Sequence, residues 1–326
     1  MSDSKHPTKP ANQKVHVAVA VVTNAADEVL IALRPDHVHQ GGLWEFPGGK
    51  VENTETVEVA LKRELLEEVG IAVESARPFM RLHYDYPDKK VLLDVWLVSQ
   101  FIGIPHGREG QPVQWVPRST LNEYSFPAAN VPIMKALQLP SQYLITPSPS
   151  GNTPSFLAAL EKSLQHDIKL VQFRAPDLPI KSYLAIADKV LFLCQQYGAQ
   201  LLLNCDPVYV KPVGAQGVHL NSPRLNALSS RPLSEKRWVA VSCHNAQEIA
   251  QANRISADFA VLGPVLATQT HPGASGIGWD KFRQLTEFAN FPVYALGGMS
   301  MQHLEFAYAY GGQGVAAIRS LWGGTL

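Results

Sequence analysis

The stretch 49–71 constrains this chain more than any other part of it. Apolar residues recur there at every fourth position, which predicts one amphipathic helix of about three turns. These residues are Val57, Leu61, Leu65 and Val69. Thr56 suits an N-cap, and Gly70 suits the left-handed residue that ends a helix. The pattern therefore predicts a helix bounded by Thr56 and Gly70.

Three glutamates fall on one face of this helix. At about 100° per residue, Glu64, Glu67 and Glu68 lie within roughly 100° of arc. Such carboxylates repel one another unless a positive charge lies among them, so an exposed acidic face is the simplest interpretation. Gly48 and Gly49 favour a second interpretation, a metal-binding site. Glycine lets the backbone approach closely and offers a bare carbonyl oxygen as a ligand. An all-oxygen cluster suits Mg²⁺ or Mn²⁺, which also bind phosphates.

Length, charge and cysteine content exclude several classes of protein. A chain of 326 residues is long enough for two domains. Its formal net charge is zero without a basic tract, so we expect a small nucleotide rather than a nucleic-acid polymer as partner. Its 3 scattered cysteines fit a reducing cytoplasm, and no apolar run is long enough for a membrane span. Residues 1–13 are polar and predict a disordered tail.

The helix belongs to a first predicted domain, residues 14–139. Runs rich in β-branched residues predict its strands at 15–22, 28–33, 79–86, 90–101 and 114–116. A last helix is predicted at 133–139, opened by Asn130. The fold class is α/β, because strands and helices share this domain.

A second predicted domain, residues 140–326, has a regular alternation of short strands and helical stretches. Its eight strands are predicted at 143–146, 169–173, 200–203, 217–220, 238–241, 259–262, 292–296 and 314–318. Eight β-α units predict a compact (β/α)8 TIM barrel, in which phosphate often binds after strands seven and eight. The residues at these two places, a possible phosphate site, are Gly297, Gly298, Arg319 and Ser320.

The pattern of stretch 49–71 resembles the signature of the Nudix hydrolases. The nine fixed positions of that signature are matched by Gly49, Glu55, Arg63, Glu64, Leu65, Glu67, Glu68, Gly70 and Ile71. The resemblance implies an α/β/α sandwich with a mixed sheet. It also implies metal-assisted hydrolysis of a nucleoside diphosphate linked to another group.

Further segments resemble the MutT subfamily of Nudix hydrolases. They are 45–52, 86–88, 109–112 and 126–130. This narrower resemblance implies hydrolysis of 8-oxo-dGTP to 8-oxo-dGMP and pyrophosphate, which sanitises the nucleotide pool.

The resemblance also implies roles for individual residues. The catalytic carboxylates would be Glu64, Glu67, Glu68 and Glu109, the last as a further ligand or the general base. The oxygens holding Mg²⁺, or Mn²⁺ in its place, would come from Gly48, Glu64, Glu67, Glu68 and Glu109. The substrate would contact Arg34, His39, Glu45, Phe46, Pro47, Gly48, Lys89 and Asn130. Glu55 and Arg63 would fix the glycine loop against the helix.

Asn130 has two interpretations. Asparagine is among the best helix N-caps, and a helix is predicted to begin there. Alternatively, its amide could read the oxidised base. Oxidation at C8 turns guanine N7 from an acceptor into an N–H donor, so one amide can donate to O6 and accept from N7–H.

The second domain resembles thiamine phosphate synthase and its TenI relatives. The resembling segments include 171–174, 217–220, 241–244, 262–265, 295–299 and 314–317. Several expected residues are replaced, including two presumed metal carboxylates. The replacements are Pro176 for a basic residue, Cys205 for an acidic one, although Asp206 is adjacent, and 221–224, ending in Arg224, for a Gly-Gln-acidic stretch. We therefore expect a degenerate barrel that keeps a phosphate pocket without the original catalysis.

The sequence is also compatible with other functions of the two domains. The first domain could be a broader Nudix pyrophosphatase acting on a thiamine-related diphosphate, which would explain the fusion. The barrel could be a non-catalytic module that binds a phosphorylated ligand or forms oligomers. His219 and His244 could be polar residues with purely structural hydrogen bonds.

Overall fold

The computed structural model describes residues 14–38, 40–86, 89–149, 151–267 and 275–324. The predicted tail, 1–13, and His39 therefore lie outside the described residues. The chain divides into two compact units. The first extends to Asn130, except for Arg77–Met80, and this short segment joins the chain from Val131 onward in the second.

The first unit contains two sheets. Its strands are β1 Lys14–Val22, β2 Glu28–Leu33, β3 Trp44–Glu45, β4 Gly48–Lys50, β5 Ala72–Asp85, β6 Lys90–Ile102 and β7 Val113–Pro117. One sheet has the order β4-β1-β6-β5, with β1 antiparallel to β4 and parallel to β6. The predicted mixed sheet is thus confirmed. The other sheet, β3-β2-β7, is antiparallel and was not predicted.

Helix α1, Val57–Val69, has the predicted ends. The Thr56 side chain accepts a hydrogen bond from Val59 N–H, and Gly70 adopts φ 72° in the left-handed region. Leu61, Leu65 and Val69 are buried in a cluster with residues of β1. Because this apolar face packs on the sheet, Glu64, Glu67 and Glu68 lie outside the buried apolar cluster.

The second unit is a closed barrel of eight parallel strands, as predicted. The strands are β8 Gln142–Ile145, β9 Leu170–Phe173, β10 Gln200–Leu203, β11 Gly217–Leu220, β12 Trp238–Cys243, β13 Phe259–Leu262, β14 Val293–Leu296 and β15 Gly314–Ala317. Tyr143, Phe259 and Tyr294 are fully buried and pack ring against ring inside it, with centroids 5.4–5.7 Å apart. Aromatic side chains therefore fill the barrel interior.

Eight helices accompany the described part of the barrel. They are α2 Val131–Gln138, α3 Thr153–Gln165, α4 Ile180–Gln196, α5 Val210–Val213, α6 Ser222–Ala227, α7 Ala246–Arg254, α8 Gly278–Thr286 and α9 Leu304–Ala309. Within the described ranges, none of the helices has the length and apolar character needed to cross a membrane.

Helix α2 packs on the barrel, although the sequence predicted it as the last helix of the first domain. Lys135 Nζ lies 2.5 Å from the buried Asp258 carboxylate. Gln313 Nε2 donates to the carbonyl oxygens of Ala136 and Leu139 at 3.1 Å each. These contacts tie the helix to the second unit, whereas the boundary predicted between residues 139 and 140 stays a prediction.

Candidate active site

Two glycines let strand β4 approach helix α1 closely. Gly48 N–H donates to Glu68 Oε2 at 2.9 Å. Gly48 has φ 148°, and a Cβ there would lie 2.1 Å from the carbonyl oxygen of Ala18. A Cβ on Gly49 would lie 2.1 Å from the carboxyl carbon of Glu64. A side chain at Gly48 would therefore push β4 away from β1, and one at Gly49 would push it away from the Glu64 carboxylate.

Arg63 connects the glycine loop to the helix. Its guanidinium lies 2.6 Å from Glu55 Oε1 and 2.8 Å from Glu64 Oε1. It also donates to the carbonyl oxygen of Lys50 at 3.1 Å. Because one guanidinium serves all three groups, it holds the loop against the helix and partly neutralises Glu64.

Glu68 lies at the centre of the carboxylates. Burial raises the pKa of its carboxyl to about 7, although the hydrogen bond from Gly48 N–H opposes this shift. The charges of Glu45, Glu109 and Glu64 raise the pKa further, so these three carboxylates lie close enough to act on Glu68. The site therefore has an excess of negative charge.

Glu109 reaches this site because its loop is held on the end of helix α1. Gln111 Nε2 donates to the carbonyl oxygen of Glu68 at 3.1 Å, and Gln111 Oε1 accepts from Glu109 N–H at 3.0 Å. The Arg108 side chain donates to the carbonyl oxygen of Leu66 at 2.9 Å. Sequence reasoning missed both anchors. The signal was available, because the last carbonyl groups of a helix need partners outside it.

The predicted metal ligands do not form a complete coordination shell here. Among the described residues, no three His, Cys, Asp or Glu side chains are grouped as a metal site. The Glu67 side chain is 61% exposed and pairs with Arg63, which also holds Glu64. The residues nevertheless fit a hard cation, because their donors are oxygens and the charge around Glu68 is not balanced.

The predicted substrate residues 45–48 are held on both sides. Pro47 O accepts from Ala20 N–H at 2.8 Å, and the Phe46 ring lies 5.2 Å from that of Phe126. Arg34 forms an ion pair with Glu45, whose pKa is raised by burial against the opposing effect of Arg34. Arg34 and the run from Glu45 to Gly48 thus come together beside Glu68.

The structure shows no N-cap role for Asn130. A 3-10 helix, Ala128–Asn130, continues directly into α2, so Asn130 is itself helical. The residue is 9% exposed, and its side-chain amide makes no hydrogen bond to another described residue. It follows Phe126, which contacts Phe46, by four positions. The amide is therefore available for a ligand.

Lys89 is not brought to the carboxylates by any contact within the described ranges. It lies at the turn between β5 and β6, with Nζ 5.7 Å from the ring centroid of Tyr86. His39, the other basic residue predicted to contact substrate, lies outside those ranges.

The four predicted phosphate-site residues of the barrel line one cavity of about 400 Å³. Gly297 and Gly298 follow β14 with φ 94° and 68°, in the left-handed region that favours glycine. Ser320 Oγ donates to the carbonyl oxygen of Met299 at 2.7 Å, and Arg319 begins a 3-10 helix after β15. The sequence prediction thus grouped residues that do lie together.

Two family models match the chain. One described as NUDIX domain covers residues 18–136, and one described as thiamine monophosphate synthase covers residues 142–321. The 8-oxo-dGTP diphosphatase of Escherichia coli strain K12 is 41% identical over 126 residues, which are 39% of this chain and 98% of the relative. The chain belongs to both families. The family resemblance stated from the sequence is thus confirmed for each half of the chain.

Relatives of the barrel domain bear the names of thiamine-phosphate synthases. A putative thiamine-phosphate synthase 2 of Aquifex aeolicus is 32% identical over 182 residues, 56% of this chain and 97% of the relative. A putative thiamine-phosphate synthase of Geobacter sulfurreducens is 34% identical over 183 residues, 56% of this chain and 86% of the relative. The barrel thus has the fold expected of this family.

Glu68 should make the stability of the Nudix domain depend on pH. Its pKa is about 7 in the folded chain, against a reference value of 4.5. The folded state therefore binds more protons between these values, so this stabilisation is full below 4.5 and is lost as the pH rises through 7. In buffer containing EDTA, we expect a loss of about 3 kcal/mol of unfolding free energy across this window.

Urea unfolding at both ends of the window measures this effect. Glu68→Gln should remove the loss, whereas Glu74→Gln, at an exposed position on β5, should keep it. Equal pH dependence in wild type and Glu68→Gln would contradict the assignment.

Proposed function

We propose that the Nudix domain hydrolyses 8-oxo-dGTP to 8-oxo-dGMP and pyrophosphate with Mg²⁺, or Mn²⁺ in its place. The observation that carries this proposal is the buried Glu68 with a pKa near 7 among three further carboxylates. A strongly shifted group in such a cluster is typical of catalytic sites. The similarity to the 8-oxo-dGTP diphosphatase of Escherichia coli supports the choice of substrate.

The metal would be held by the Gly48 carbonyl and the carboxylates of Glu64, Glu67, Glu68 and Glu109. Nudix hydrolases generally need a divalent metal, typically Mg²⁺. Bound there, the ion would neutralise phosphate oxygens and lower the pKa of water. Arg63 would hold Glu64 in place, and the Gly48 N–H would fix the orientation of Glu68.

A carboxylate must also take the proton of the attacking water. The pKa of Glu68 near 7 belongs to the chain without a metal, and a cation bound by this carboxylate would lower it, so Glu68 would act as a ligand. Glu109 is exposed and close to Glu68, so it can serve as a further ligand or as the base. Both residues are positioned by backbone contacts around the end of α1, which limits their movement.

The base of the nucleotide would be recognised by side chains beside the carboxylates. Phe46, Pro47 and the Arg34–Glu45 pair would line it, with His39 and Lys89 as further substrate contacts. The Asn130 amide would donate to O6 and accept from N7–H of the oxidised guanine. Normal guanine has no hydrogen on N7, so its lone pair would face the amide oxygen and binding would be weakened.

The remaining proposals concern partners and the barrel. A small nucleotide is the proposed partner of the Nudix domain, in the cytoplasm and without a nucleic-acid polymer. The barrel is proposed to have lost thiamine phosphate synthesis, since Cys205 and Arg224 occupy positions where the resemblance predicts acidic residues. Because the barrel keeps the fold of that family, hydrolysis of a thiamine-related diphosphate is the second candidate activity of the Nudix domain.

A substrate panel tests the proposed activity. The full chain, with Mg²⁺, would be assayed for pyrophosphate from 8-oxo-dGTP and dGTP, and for phosphate from thiamine diphosphate. We expect the highest kcat/KM with 8-oxo-dGTP and a loss of about two orders of magnitude in Glu68→Gln, since the variant removes a carboxylate ligand of the metal. Preference for thiamine diphosphate would select the second candidate, and an active Glu68→Gln would refute the proposed site.

Asn130→Ala should reduce selectivity more than turnover. The ratio of kcat/KM for 8-oxo-dGTP over dGTP should fall by about tenfold or more, because the paired hydrogen bonds are lost. Asn130→Asp, which keeps the size but not the donor, should lose selectivity as well. Asn122→Ala, at an exposed position of the same unit, is the matched control. An unchanged ratio in both Asn130 variants would show that this amide does not read the base.

A further inference from the structure

A second cavity of about 290 Å³ lies at the carboxyl ends of the barrel strands. Its polar lining includes Arg174, which follows β9, Asn204, which follows β10, and Ser242 in β12. Ile145 and Leu296 give it an apolar wall. The cavity can therefore accept a small molecule with one polar and one apolar part.

The described lining of this cavity contains no carboxylate. The segment 268–274, which lies outside the described residues, has no Asp or Glu in its sequence. Glu248 contacts the lining residue His244 but is not part of the lining itself. Its carboxylate accepts a hydrogen bond from the His244 backbone N–H at 2.6 Å and lies 3.0 Å from the His244 imidazole. The carboxylate ligands that commonly hold a divalent cation are thus missing from the described lining, so the residues do not fit the metal implied by the family resemblance.

Arginines supply positive charge instead. The Arg174 side chain lines the cavity and makes no hydrogen bond to another described residue. Arg224 stands where the resemblance predicts an acidic residue, and it donates to Asn204 Oδ1 at 3.2 Å. The Arg224 guanidinium therefore lies next to the lining residue Asn204, at a sequence position where the resemblance predicts a metal ligand, and it carries a positive charge where that ligand would carry a negative one.

A chain of hydrogen bonds runs from Arg224 through the barrel. Asn204 Nδ2 donates to Gln172 Oε1 at 2.9 Å, and Gln172 Nε2 donates to Tyr143 Oη at 3.3 Å. Tyr143 Oη lies 3.0 Å from His219 Nδ1, and His219 Nε2 lies 2.8 Å from Ser242 Oγ. Each bond joins residues from different strands or their ends.

The direction of these bonds fixes the tautomer of His219. The buried Tyr143 hydroxyl already accepts from Gln172, and His219 Nδ1 is the acceptor within reach for its proton. His219 therefore carries its hydrogen on Nε2 and donates it to Ser242 Oγ. Burial and the charge of Arg174 lower the pKa of His219 to about 3, so the ring is neutral. The hydroxyl proton of Ser242 is left to donate into the cavity.

We propose that this cavity binds a phosphorylated small molecule without a divalent cation. Arg174 and Ser242 contact the phosphate, and Arg224 supplies the positive charge that a metal ion would bring. Ser242 acts as a donor rather than a nucleophile, since the neighbouring His219 donates to its hydroxyl oxygen and so cannot take its proton. The inference rests on the proposed loss of thiamine phosphate synthesis and is independent of the Nudix reaction.

Calorimetric titration of the full chain with inorganic pyrophosphate tests this proposal. The chain would carry Glu68→Gln, so that the Nudix carboxylates do not add a metal-dependent signal. We expect binding in EDTA that Mg²⁺ does not strengthen. Arg174→Gln should weaken it by about tenfold or more, and Ser242→Ala by about fivefold. Arg254→Gln removes the same charge from α7, where the guanidinium bonds Gln251, and should have no effect.

Arg224 gives the sharpest outcome. Arg224→Asp should abolish binding in EDTA and restore it when Mg²⁺ is added, and Arg224→Gln should weaken binding without this rescue. Absence of binding in EDTA, or binding that needs Mg²⁺ before Arg224 is changed, would overturn the proposal, as would unchanged binding in Arg224→Asp. Formation of thiamine phosphate by the wild-type chain is a separate assay, and a positive result there would refute the proposed loss of synthesis.

Discussion

The hydrogen bond from Gly48 N–H to the Glu68 carboxylate is the contact on which the Nudix site depends. It requires a strand without side chains at its nearest points, because a Cβ at Gly48 or Gly49 would collide with Ala18 or Glu64. The approach of strand and helix buries Glu68 beside other carboxylates and raises its pKa to about 7. Repulsion between the crowded carboxylates destabilises the folded chain, and a bound cation would relieve that repulsion.

Local patterns predicted the parts of the structure that local chemistry determines. Helix α1 and its caps at Thr56 and Gly70 follow from periodicity, a side-chain oxygen and a glycine. Strands β3 and β4 were missed because two or three residues are too few to show alternation. The contacts of helix α2 with the barrel could not be predicted, since its partners Asp258 and Gln313 lie more than 100 residues away in sequence.

The two sites differ in what the sequence could reveal. The acidic residues of the Nudix site lie mostly on one helix, so their spacing already placed them on a common face. The chain of hydrogen bonds in the barrel takes its members from or beside β8, β9, β10, β11 and β12. No spacing links such residues, and their directions of donation become evident only from the distances. The sequence indicated that acidic residues expected from the family resemblance are replaced, and the structure shows that Arg224, one of the replacements, donates to Asn204.

Binding of Mn²⁺ to the full chain, followed by the electron paramagnetic resonance signal of the free ion, tests the central claim directly. The claim is that the crowded carboxylates around Glu68 form a cation site. Wild type should bind Mn²⁺, Glu68→Gln should bind it about tenfold more weakly or worse, and Glu58→Gln, in the exposed first turn of the same helix, should match wild type. Equal affinity in wild type and Glu68→Gln would contradict the account.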